Sequence, residues 1–60
     1  MKKSEVKIGM YVGWKADIEE TGTVVKLPNG NGDVYIEGPD TETDGVLEFL
    51  IHYSRLDKED

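Results

Sequence analysis

The residue pattern predicts one small all-β domain of four to five antiparallel strands, and three observations carry that reading. Apolar and polar residues alternate in short runs separated by Gly, Pro, Asn and Asp, as strands joined by turns require. The run Thr23-Val24-Val25-Lys26-Leu27 leads through Pro28-Asn29-Gly30-Asn31-Gly32 into Asp33-Val34-Tyr35-Ile36-Glu37, which reads as a hairpin. The chain has 60 residues, enough for a single thin core, since a chain of that length buries only about 60% of the surface its unfolded form exposes.

Residues 6 to 15 put Met10, Val12 and Trp14 on one face of an extended segment and Tyr11, Gly13 and Lys15 on the other, which predicts the first strand. Ala16 to Glu20 carries three acids without alternation and is expected to form an exposed loop. In the hairpin, unbroken alternation turns Val25 and Leu27 inward with Val34 and Ile36 and leaves Val24, Lys26 and Tyr35 outside. Pro28 ends the ladder because it has no N–H, and the Asn and Gly residues supply the tight connection.

Gly38 to Gly45 has the composition of a long polar loop. In the segment that follows, Leu47, Phe49 and Ile51 fit a strand, while Phe49, Tyr53 and Leu56 also fit a helix face. The strand is favoured because the preceding meander needs another neighbour. A short turn near residues 53–56 then places Leu56 as a plug at the open end. The domain is expected to span residues 1–56, with 57–60 a frayed acidic tail or a short closing strand. The expected core is Val12, Trp14, Val25, Leu27, Val34, Ile36, Leu47, Phe49, Ile51 and Leu56.

Seven Lys or Arg face 13 Asp or Glu, a formal charge of -6, which repels a phosphate backbone and disfavours nucleic acid as a partner. Lys2, Lys3 and Lys7 gather at the start, whereas Glu37, Asp40, Glu42, Asp44 and Glu48 run without a base between them. There is no cysteine, hence no disulfide and no thiol chemistry. No apolar run resembles a signal sequence or a membrane span, so a soluble, cytoplasmic protein is expected.

Chemistry-bearing patterns are sparse. Asp40, Glu42 and Asp44 followed by Gly45 match loop positions one, three, five and six of a calcium-binding EF-hand, but the twelfth position, where a bidentate Glu belongs, is Ile51. The segment is therefore expected to be a solvated acidic loop, with the melting temperature unmoved by millimolar calcium. His52 and Ser54 share a strand face if extended, yet no orienting acid or oxyanion donor accompanies them. One His without Cys is a poor metal set, and the seven glycines never form a phosphate-cradling loop. No catalytic residue, metal or cofactor is assigned. Tyr11, Val24 and Tyr35 fall on the outward phase of neighbouring strands and are the candidate binding patch, because tyrosine adds apolar area with one polar tip.

The order of elements resembles an SH3-like small β-barrel, the kind that includes KOW and Tudor modules. The residues that carry the likeness are Ile8-Gly9-Met10-Tyr11-Val12, Thr21-Gly22-Thr23-Val24-Val25, Asp33-Val34-Tyr35-Ile36 and Phe49-Leu50-Ile51-His52 with Ser54-Arg55-Leu56. KOW modules are usually basic, so the RNA-binding role they imply does not carry over to this acidic chain. Tudor modules imply an aromatic cage for methylated basic side chains, for which Trp14, Tyr35, Phe49 and Tyr53 are the ingredients. Plasmid-type dihydrofolate reductase also resembles such a barrel, but Val34-Tyr35-Ile36-Glu37 departs from its Val-Gln-Ile-Tyr strand. The expected function is a small acidic, non-enzymatic binding or adaptor module for a basic or neutral protein partner, with self-association compatible with the tyrosine patch. The alternatives are a nucleic-acid-associated SH3-like module and an acidic decoy of a nucleic-acid-binding protein.

Overall fold

A computed structural model describes residues 1–16, 18–40 and 42–59; Asp17 of the first expected loop, Thr41 of the acidic loop and Asp60 of the tail lie outside the described residues. The fold is all-β. A 3-10 turn, Lys3–Glu5, precedes β1 (Tyr11–Lys15), β2 (Glu19–Lys26), β3 (Asp33–Asp40) and β4 (Gly45–His52), and a second 3-10 turn, Tyr53–Arg55, leads into β5 (Asp57–Lys58). All pairings are antiparallel, in the order β4-β3-β2-β1-β5. Among the described residues no ladder joins β4 to β5, so the sheet is open rather than a hydrogen-bonded barrel. No helix among them is long and apolar enough to cross a membrane.

The sheet is nevertheless strongly curled. On a flat sheet β1 and β4 would lie roughly 14 Å apart, three strand spacings. Trp14 of β1 and Phe49 of β4 instead meet edge to face with ring centroids 4.9 Å apart. Gly38 makes room for the Phe49 ring, and Gly22 lets β2 close on β3. A Cβ on Gly22 would lie 2.7 Å from the Glu37 carbonyl oxygen, and one on Gly38 would lie 3.2 Å from the Phe49 ring. The absent side chains let β2 and β3 approach and leave the concave floor to the two aromatic rings.

The core on that concave face is Val6, Val12, Trp14, Val24, Val34, Ile36 and Leu56, with Met1, Met10, Phe49, Ile51 and Tyr53 partly buried against it. Leu56 plugs the open end as expected, and its carbonyl accepts a 2.9 Å hydrogen bond from the Met1 ammonium. Residues 46–52 are strand, as favoured. The first strand is shorter than expected, because Lys7 to Met10 forms a turn, with the Met10 amide donating to the Lys7 carbonyl. Val6, left out of the expected core, is carried inward by that path.

Three further expectations are corrected. In β2, Val24 pairs with Ile36 but Lys26 pairs with Tyr35, so an extra residue bulges at Val25 and the alternation shifts there. Val24 is therefore buried, 1% exposed, while Val25 is half-buried and Leu27 is 55% exposed. The polar segment Gly38 to Gly45 is shorter as a loop than expected, since β3 runs on to Asp40 and β4 starts at Gly45 with a turn at Glu42–Asp44 between them, and Leu47, expected in the core, lies exposed beyond its edge. Asp57 and Lys58 do not fray: they pair with Gly13 and Val12, and the Glu59 amide donates to the Tyr11 carbonyl.

The β2–β3 connection is held by Asn29, whose Oδ1 accepts from the amides of Asn31 at 2.9 Å and Asp33 at 3.0 Å. Gly32 follows with φ +85° beneath the Tyr53 ring, a conformation and a space that only glycine fills without strain.

Candidate functional site

The β1–β2 and β3–β4 hairpins project from the same end of the sheet, and between them lies a groove of about 480 Å³. Its apolar surface comes from Ile18, Pro39, Leu47 and Phe49, and its rim from Glu19, Glu20, Asp40 and Glu42. The local cause is the end of the core. Leu47 keeps the inward phase of β4, opposite Gly38, but Gly38 offers no side chain to cover it. Phe49 is half-buried, packed against Trp14 and lining the groove.

Asp40 is a rim acid held by hydrogen bonds at both carboxylate oxygens. The Thr43 hydroxyl donates to its Oδ2 at 2.8 Å and the Glu42 amide to its Oδ1 at 3.0 Å; these bonds, the hydroxyl first, hold its carboxyl below the ordinary value of 3.8. A carboxylate stabilised in its charged form stays ionised through the neutral range. The accompanying stability is present above pH 3.8 and is lost as pH falls through the lower folded value. Thr43→Val is expected to move the Asp40 titration midpoint upward in a carbon-detected NMR titration; an unchanged midpoint would show that the hydroxyl is not the cause.

The expected Tyr11, Val24 and Tyr35 patch is divided. Tyr11 and Tyr35 are exposed on the convex face, but Val24 points into the core. Thr23, not Val24, sits beside Tyr11, and Glu37 lies beyond it in the same row, so a carboxylate intervenes before Tyr35 is reached. Tyr11 Oη donates to Thr21 Oγ1 at 2.8 Å, and the Lys26 ammonium sits 5.2 Å from the centre of the Tyr35 ring. The aromatic residues named for a cage are dispersed as well: Trp14 and Phe49 meet on the concave side, Tyr35 is convex, and Tyr53 stacks on His52 at 4.3 Å.

His52 Nδ1 lies 2.8 Å from Ser54 Oγ and accepts from the Ser54 amide at 3.3 Å. Through that contact the His52 side chain caps the 3-10 turn Tyr53–Arg55. Among the described residues no three His, Cys, Asp or Glu side chains converge as metal ligands. In the acidic loop both Asp40 oxygens are engaged within the turn.

The groove was not found by sequence reasoning. Its residues come from three segments brought together by the curl, and the only local signal was the excess of acids around residues 17–20 and 40–44. No protein-family model, curated protein or solved structure matches this chain.

Proposed function

We propose that the protein is a small SH3-like binding module that takes a basic, partly apolar segment of another protein in the groove between its two hairpins. The observation that carries this is an apolar floor of Leu47, Phe49, Pro39 and Ile18 rimmed by Glu19, Glu20, Asp40 and Glu42. The floor supplies contact area, and the carboxylates select cations over the anionic backbone of a nucleic acid. The strand order β4-β3-β2-β1-β5, with a 3-10 turn before the last strand, supports the SH3-like reading.

Trp14 is the only tryptophan and touches Phe49, so its emission reports on the groove. Blocked peptides with one Lys among Val residues are expected to bind and shift that emission, and their Glu counterparts are not. Glu20→Lys combined with Glu42→Lys should weaken binding at least about tenfold, equivalent to roughly 1.4 kcal/mol, and added salt should weaken the parent interaction. Equal binding of the Lys and Glu peptides would refute the reading.

A further inference from the structure

The two edges of the sheet are built differently. Edge strands expose a row of unpaired backbone groups, which folded proteins blunt by shortness, charge, proline or a bulge. β5 is two residues long and both are charged, Asp57 and Lys58. β4 is eight residues long, contains no Pro or Lys, and runs beside β3 without a bulge from Asp40↔Gly45 to Asp33↔His52. Its apolar side chains stand open: Val46 is 64% and Leu50 is 51% exposed on the convex face, and Leu47 is exposed on the concave one.

Charge identifies the occupant. Glu48, at the middle of β4, lies directly opposite Glu37 of β3, and like charges in that relation destabilise a sheet. A cation beyond Glu48 relieves this pair. A second copy of the chain does the reverse, since it brings another net charge of -6 and another Glu48 to the same edge.

We infer that β4 receives an extended segment of the partner as a sixth strand, with a Lys or Arg opposite Glu48 and apolar residues on either side. This rests on the binding function proposed above and specifies how the partner is held: its apolar side faces the groove, its cation pairs with Glu48 on the convex face, and the groove carboxylates act on that cation only through their longer-range field. Backbone hydrogen bonds to the outward amides and carbonyls of β4 supply affinity, and side chains supply selectivity. In that register the flanking residues two positions from the cation cover Val46 and Leu50, and those one position away meet Leu47 and Phe49 at the groove.

The test uses the peptide acetyl-Ser-Val-Val-Lys-Val-Val-Ser-amide and two forms of it, N-methylated on one or the other alternate set of residues. Only one set turns its N–H toward β4. One methylated form is expected to lose at least about a hundredfold in affinity, and the other to stay within about threefold of the parent. Binding of the parent is also expected to slow hydrogen exchange at alternate β4 amides. If both methylated forms bind like the parent, strand addition is wrong while the binding function stands. If neither this peptide nor any Lys-bearing peptide moves Trp14 emission, the binding function fails with it. A dimer in sedimentation without peptide, abolished by Val46→Lys, would assign the edge to a second copy and overturn the inference.

Discussion

Trp14→Ala is expected to leave the protein largely unfolded at room temperature. Trp14 is buried, spans the curl of the sheet and is the partner of Phe49, so its removal both opens a cavity and detaches β4 from β1. Truncating a buried Phe or Trp costs roughly 3–5 kcal/mol. A chain of this length has about 3–9 kcal/mol in total. Phe49→Ala should cost about half as much, because Phe49 is only half-buried and less of its surface leaves water on folding. Urea unfolding followed by far-ultraviolet circular dichroism measures both. A Trp14→Ala protein that unfolds at nearly the parental midpoint would mean that the ring is not the bridge across the curl.

Gly22→Val is the second large effect expected. Its inward Cβ would meet the Glu37 carbonyl oxygen at 2.7 Å and the Ile36 side chain at 2.6 Å, and the first of these is backbone that cannot rotate away. Overpacking at a buried site costs typically 1–3 kcal/mol and occasionally more, so a loss near or above the upper end, about 3 kcal/mol, is expected. Gly30→Ala is the matched control, since a Cβ there meets nothing within 4 Å. Thermal melts of the two proteins should differ by well over ten degrees if β2 and β3 depend on that close approach. Similar melts would mean that the strands can part without loss.

What the sequence made legible is tied to local periodicity. Val34 and Ile36 alternate cleanly in β3, and both are buried; Trp14 and Val12 do the same in β1. β2 is where the period misled. The bulge at Val25 shifts the phase by one residue, and the inward position before Val24 is Gly22, which has no side chain to reveal which face it occupies. Reading inward residues from Val25 and Leu27 therefore inverted the strand and placed Val24 on a surface patch. Leu47 failed for a different reason: its phase was right, but the core ends before reaching it, and the extent of a core is not encoded in alternation. The groove depends on the same long-range curl. Neither Ile18 nor Phe49 signals the other along the chain, although both line one surface.

The Met1 ammonium and the Leu56 carbonyl join residues 55 apart, and β5 closes on β1 from the far end of the chain. The β2–β3–β4 meander, by contrast, forms between neighbours in sequence. Loop-closure entropy grows with the length of chain enclosed, so the meander is expected to assemble before the contacts of Met1 with Leu56 and of β1 with β5. Interactions made after the transition state govern how fast a protein opens rather than how fast it folds. The two-residue strand β5 and the Leu56 plug are thus expected to govern how long the folded state lasts, and the β2–β3–β4 meander how quickly it is reached.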